Sequence, residues 1–599
     1  MTAPAPHKPY DFGDVGTSGA VGLTGSIDGA GRLLALNAPH PAHGYITLTT
    51  AEPFPETERY NPAAVRAYRA GLAALPGVGF TLPEGPPSTI HTQPDGAPIL
   101  HVRRGESESI TYASSGQAVQ IIRVAGGAPV WSGRVALMRC AYTQLTEGGP
   151  VPMPAVQTRA RYADGRLIIE NPALPAAAVI EGLSDPTMWE RYTDGPIPVQ
   201  IGGRAGENVL RYAIAPSVEA ALAHLEAPAP TPDSVQAVWA AKLAELPPDP
   251  VLRRGLVYSL LMAVPDGAGA CLLTDHMLLP LSWNRDAYYV ARALLAWPGN
   301  RAEGQDVVRR HLLWMFEQAE RRDGFWGRCY MANGRIKDGA FQLDQQLFPI
   351  LELADYVLES GDRMILQRLQ APLSECLRGL MGLRLAGRHL FPTAETPADD
   401  PIAYPYHFSS HLLFWRVAQQ LARIGVAGEW AALAEALRRE IGHSFIAERD
   451  GKRLFAYATD GAGQFHLYHD ANDLPFALAP AWGFCPATDP VWRETAAFAF
   501  SEANIGGYYG GRLGSVHTRA AWPLGDVQEW LIAAATGDSR RAAAVRARVQ
   551  AIAQPDGSLP EAYDVATGGV VSRHWFAWPA AAYACVALGA FQHREPNPF

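Results

Sequence analysis

Polar and aromatic residues able to do chemistry are concentrated in the long segments that separate apolar, helix-like windows in the second half of this chain. They include Trp283-Asn284-Arg285-Asp286, Asp323 to Trp326, Gln342-Leu343-Asp344, Glu395 to Asp400, Tyr404 to His411, His469 to Asp473, Gly514 to Thr518, Trp522-Pro523, Pro560 to Tyr563 and Arg573 to Trp578. If the windows are helices alternating in direction, loops entering every second helix share one rim, and their carboxylates and aromatics converge on one mouth. Tryptophan faces stack on sugar rings. Cleaving a glycosidic bond takes two carboxyl groups, one protonated to release the leaving oxygen and one ionised; in an inverting reaction they stand roughly 6.5–9.5 Å apart with a water between. Each residue also has a structural alternative. Asp286, Asp344 and Asp473 sit where carboxylates cap helix N-termini. His407 and His411 have the i, i+4 spacing of a metal pair, but without HExxH or a third ligand they read better as hydrogen-bonding histidines. Trp283, Trp326, Trp522, Trp575 and Trp578 equally suit a core. The chain has no G-x-S-x-G elbow, Walker A or Rossmann fingerprint, so acyl transfer and nucleotide use have no support, and no metal or cofactor is expected.

The elements that must position these residues change character along the sequence. Up to about residue 230, short alternating runs such as Gln117–Val124 and Val130–Met138 are separated by turn signals, Gly126-Gly127 and Glu147 to Pro150 among them, and predict an antiparallel β-sandwich. The proline-rich stretch Glu226 to Asp233 reads as a linker, dividing the chain into a domain over 1–230 and another over 231–599. Beyond it, about a dozen amphipathic windows, Leu343–Ser360 and Asp473–Trp482 among them, predict paired helices and, from their number, an all-α (α/α)6 barrel. At 599 residues and 48% hydrophobic, with a net charge of −9 and no basic cluster, the chain is a folded globule for which nucleic acid is an unsuitable partner. The stretch MTAPAPHKPY lacks the apolar run of a signal peptide, and Trp575–Phe591, interrupted by Pro579, is too short to span a bilayer, so a cytoplasmic protein off the membrane is expected. The six cysteines have no CxxC spacing and read as small apolar residues in a reducing compartment.

In their order along the chain these motifs resemble glycoside hydrolase family 125, the exo-α-1,6-mannosidases, over roughly residues 280 to 592. Trp283-Asn284-Arg285-Asp286 resembles that family's W-x-R-D. Asp323-Gly324, Gln342-Leu343-Asp344 and Phe348-Pro349-Ile350 are similar to its aspartate-bearing motif, and Tyr404 to Ser409 to its Y-P-Y-x-F-S loop. Asp470-Ala471-Asn472 with Pro475, Gly514 to Thr518 with Trp522-Pro523, and Glu561 with Arg573 to Trp578 complete the series. The resemblance implies that Asp344 is the general acid and Glu561 the general base of an inverting exo-glycosidase. Trp283, Asn284, Arg285, Asp286, Trp326, Gln342, His407, Asp470, Asn472, His517, Trp522, Arg573 and Trp575 would bind the carbohydrate. In that role Asp344 has to be desolvated or near a negative charge, and Glu561 near a cation such as Arg573. Glu395, Asp399 and Asp400 stand as rival acids. Val516 replaces the family's Pro and Pro560-Glu561-Ala562-Tyr563 its His-Glu-Ser-Phe, leaving the sugar open between α-mannose and α-glucose. The two-domain layout itself looks like that of bacterial glucoamylases and glycogen-debranching-like proteins. A carbohydrate-binding protein on an inactive barrel, or a polysaccharide lyase using Tyr404, Tyr406 or His407, stays open as an alternative.

Overall fold

The structure is a computed structural model and describes residues 11–591 apart from 59–60, 84–87, 94, 115 and 140–154. Cys140, the turn signal at Glu147–Pro150 and the N-terminal ten residues lie outside the described residues. The first half folds into two large antiparallel sheets. One begins with the meander β1 (Val15–Ala20), β2 (Leu23–Asp28), β3 (Leu33–His40) and β4 (Gly44–Thr49), and continues through Val130–Arg139 to Ile197–Gly202. The other has nine strands running from Trp189–Asp194 at one edge to Thr89–Thr92 at the other. Their inward side chains, among them Phe80, Ile122, Trp131, Ile169, Ile180 and Ile201, meet in one buried cluster, as expected of strands whose alternate residues face a shared core.

The second half is helical. Six helices are labelled here: α1 (Asn284–Ala296), α2 (Leu343–Ser360), α3 (Phe408–Arg423), α4 (Leu474–Leu478), α5 (Pro523–Ala535) and α6 (Ala577–Ala587). Each packs on the next, and α6 packs back on α1. A further helix lies against most of them: Arg301–Leu313 on α1, Gln370–Gly382 on α2, Trp430–Ser444 on α3, Ser539–Ala551 on α5 and Pro250–Leu261 on α6. Every residue of α1 from Asn284 to Leu295 is buried, as befits a helix surrounded by others. The two halves are not separated by water, because Phe12, Val15, Leu34, Tyr45 and Met138 belong to the same apolar cluster as the helices.

Several expectations need correction. The proline-rich linker is short, since one helix runs to Glu226 and the next starts at Pro232, capped by Thr231. The first half also contains the helix Pro62–Ala74. The amphipathic window Arg363–Leu383, one of the dozen expected as a single helix, is two helices, Arg363–Arg368 and Gln370–Gly382. The window Asp473–Trp482 yields only Leu474–Leu478, because Pro480 has no N–H to continue the ladder. The loops read as irregular carry short strands: Leu281–Trp283 pairs with Cys329–Met331, which pairs with Ile336–Asp338.

Candidate active site

The N-termini of α1 to α6 gather at one end. Arg285 of α1 reaches Asp344 of α2, His407 before α3 meets Asp473 before α4, Trp522 before α5 stands edge-on to Phe576 before α6, and Arg285 lies over Trp578 of α6. Between α4 and α5, Gln528 donates to the carbonyls of Asp470 and Ala471. None of Asp286, Asp344 and Asp473 caps its helix, as no side-chain cap bond is made at the start of α1, α2 or α4.

Pro349 explains how α1 and α2 dock. Within α2 it cannot donate to the carbonyl of Gln345, and Asn284 takes that carbonyl instead, its amide donating at 2.9 Å. The Arg285 backbone N–H donates to Gln345 Oε1 at 3.0 Å. The two helix ends are thereby fixed together, and the Arg285 guanidinium comes to lie 3.4 Å from Asp344 Oδ2. The other oxygen, Asp344 Oδ1, is buried with no hydrogen-bond partner among the described residues. Burial pushes the Asp344 carboxyl up; Arg285 and His407 oppose it, and the nearby Asp399 adds to it. Burial likewise pushes Asp286 up to about 6, against Arg285 and the Thr274 hydroxyl that donates to it at 2.8 Å.

Among the rival acids, Asp399 is held ionised. Burial raises it, but Arg285, Arg328 and the amide of Gln342, 2.7 Å from its Oδ1, bring it below the usual carboxylate range. Its Oδ2 accepts from the indole of Trp283 at 3.0 Å. Glu395 is half-buried and bound by Arg328 at 2.7 Å and Gln342 at 3.0 Å. Arg328, which also grips Asp338 at 2.7 Å, was not singled out in the sequence; its neighbours Gly327 and Cys329 offer no chemical signal, and only the short strand pairing carries it to these acids.

On the other side of Trp283, Glu561 pairs with Arg573 at 3.0 Å and accepts a hydrogen bond from the Ser572 hydroxyl. Arg573 lies over the Trp283 ring at 5.4 Å, so an unbroken chain of contacts joins Asp344, Arg285, Asp399, Trp283, Arg573 and Glu561. His517, a third exposed, faces Asp400 at 3.5 Å. Enclosure disfavours its charge, but Asp400, Glu561 and Asp399 outweigh that and push the ring up to about 9. Trp522 is buried beside this group with its indole N–H on Thr518 at 2.6 Å.

His407 stands 3.3 Å from Asp473, with its other ring nitrogen on Ser410. Asp470 is pushed up to about 6 by burial and by Asp473, and accepts from Asn472, Ser515 and Tyr468. Asn472 thus spends its amide on Asp470, and Asn284 on backbone carbonyls. Two tryptophans are not brought to the cluster. Trp326 donates to the Met315 carbonyl and packs on Phe316, and Trp575 is enclosed by Phe12, His276 and His574. Trp578, left by sequence between core and rim, is the one that touches Arg285. His411 bonds to the carbonyl of His407 and the N–H of Phe391. Among the described residues no cluster of three metal-ligating side chains occurs, and no helix is long and apolar enough to cross a membrane.

The profile of a glycosidase family, the metal-independent alpha-mannosidases of glycoside hydrolase family 125, matches residues 369–588. Over nearly the whole length, the fold is similar to that of a bacterial glucoamylase solved with acarbose: TM-score 0.65 at 10% identity, covering 99% of this chain and 96% of that one. A Streptococcus pneumoniae metal-independent alpha mannosidase, solved as a non-productive complex with alpha-1,6-mannobiose, aligns with a TM-score of 0.49 at 18% identity over 60% of this chain and 99% of its own. A family 63 mannosylglycerate hydrolase from Thermus thermophilus aligns with a TM-score of 0.41 at 15% identity over 56% and 99%. No curated protein matches the chain by sequence.

Proposed function

We propose that the protein is an inverting exo-α-glycosidase that removes a terminal α-mannosyl or α-glucosyl residue from a small oligosaccharide or glycoside, with Asp344 as acid and Glu561 as base. The observation that carries this reading is the opposite environment of two carboxyl groups in one network. Asp344 is buried, raised and leaves one oxygen unbonded, whereas Glu561 is paired with Arg573. Asp344 gives its proton to the glycosidic oxygen as the C–O bond breaks. Glu561 takes a proton from the water whose oxygen bonds to the anomeric carbon on the opposite face, so the configuration inverts. The match to the mannosidase family and the glucoamylase-like fold support the choice between the two sugars. The cyclic packing of α1 to α6 supports an (α/α)6 barrel behind a β-sandwich domain, dividing near residue 230. The described cysteines are free thiols, which suits the cytoplasm.

The test is hydrolysis of aryl α-mannosides and α-glucosides with the product anomer read by NMR. Asp344→Asn and Glu561→Gln are each expected to lower kcat by about 10²–10⁴-fold with the fold intact. Retention of configuration, or near-normal turnover in either variant, contradicts the assignment.

A further inference from the structure

Three loops behind the Glu561–Arg573 pair are held by the sheet-rich half. Ser26 of β2 places its hydroxyl 2.6 Å from His276 Nε2, while Nδ1 of the same ring lies 2.9 Å from the Tyr258 hydroxyl. Asn37 of β3 donates to the His276 carbonyl at 3.1 Å. His276 stands edge-on to Trp575 at 4.7 Å, and Trp575 also meets Phe12 at 5.3 Å. Trp575 lies two residues beyond Arg573, whose φ of +45° is a left-handed conformation that a side chain adopts only under outside restraint. Farther along, the Thr17 N–H of β1 donates to Asp556 at 3.0 Å, and the Thr17 carbonyl accepts from Arg254, itself paired with Asp556 at 2.7 Å. Asp556 begins the turn that leads to Glu561 and accepts from the Ser558 N–H. The His276 loop also carries Thr274, whose carbonyl accepts from Ala577 and whose hydroxyl holds Asp286. Ser26, Asn37, Thr17, Asp556, Arg254 and His276 are all buried. These buried, directional contacts specify geometry beyond what apolar packing requires.

We infer that the sheet-rich half is the positioning element of the base: Ser26 and Asn37 seat His276, which through Trp575 fixes Arg573 on Glu561. This rests on the proposed glycosidase reading, and Ser26, Asn37 and His276 are positioning residues that touch no substrate. Burial pulls His276 down to about 3, so the ring is neutral and serves as a spacer between hydroxyl groups at working pH.

The full-length chain tests this with Ser26→Ala, Asn37→Ala and Ser26→Thr, assayed on the aryl glycoside that the wild type hydrolyses. The alanine variants are expected to lose about tenfold or more in kcat with KM within about twofold, since misplacing a catalytic group lowers turnover more than binding. The groups facing Glu561 are Arg573, Ser572 and His517, with Asp275 and Asp286 acting on Arg573. Loosening Arg573 frees the Glu561 carboxylate from one of the two side chains that hold its orientation. Ser26→Thr, which keeps the hydroxyl, is expected to restore kcat. If the alanine variants lose thermal stability while kcat stays put, the contacts are packing alone and the inference fails. If one alanine variant does not fold, the other still decides. A wild type without inverting hydrolysis overturns the glycosidase reading, and this inference with it.

Discussion

Asp344 and Asp399 share the Arg285 guanidinium, and under the same burial they shift in opposite directions because Asp399 has a second arginine and an amide while Asp344 has neither. The charge of Asp399 is part of what raises Asp344, the proposed acid. An acid works while protonated and fails as pH rises through its pKa. Asp399→Asn removes the neighbouring charge and leaves Arg285 to Asp344, so the alkaline limb of kcat/KM is expected to move to lower pH. An unmoved limb would show that Asp399 does not set the proton affinity of the acid. The sequence brought Asp399 forward only as one of three rival acids. Its role depends on Arg328, remote in sequence, and on a left-handed backbone with φ +65° that no residue type in the loop announces. Glu561 with Arg573 was legible, because both lie in motifs whose charges complement each other.

Among the elements, those with uninterrupted periodicity were readable to the residue: Leu343–Ser360 and Gln117–Val124 begin and end where their patterns do. The short strands before α1 (Leu281–Trp283) and α3 (Tyr406–His407) were not, since two or three residues hold no period. The α1–α2 junction was hidden for another reason: it depends on a missing N–H. Asn284→Ala leaves the Gln345 carbonyl buried without a partner and is expected to cost about 1–3 kcal/mol in denaturant unfolding. Adding Pro349→Ala returns that carbonyl to the helix ladder and is expected to recover most of the loss. Strict additivity of the two substitutions would dissociate Pro349 from Asn284.

For the molecule as a whole, buried ionisable groups set the response to pH. Burial pushes Asp275, Asp286, Asp470 and Asp526 up to about 6, so in the window above the ordinary carboxylate range the folded state takes up their protons first and gains stability as pH falls. Burial pulls His276 to about 3 and His411 to about 4, so there the unfolded state binds the proton first and stability is lost over an overlapping window. The two sets oppose each other. Tm is expected to stay nearly level between about pH 5 and 7 and to collapse below about pH 4, where Asp399, Asp473 and Asp556, all held low in the fold, must be protonated. A steady slope across the level window in differential scanning fluorimetry would refute this balance. The gathering of helix N-termini at the candidate site bears on ligand chemistry too. In the proposed reaction the sugar losing its aglycone becomes an oxocarbenium-like cation, and the five longer of these helices direct partial positive charge towards the candidate site. Alone they would repel it, and carboxylates such as Asp399 stand against that repulsion. Basic sugar mimics that carry a permanent ammonium are therefore expected to compete better than neutral sugars of the same shape, and Asp286→Asn to erode that advantage in inhibition assays.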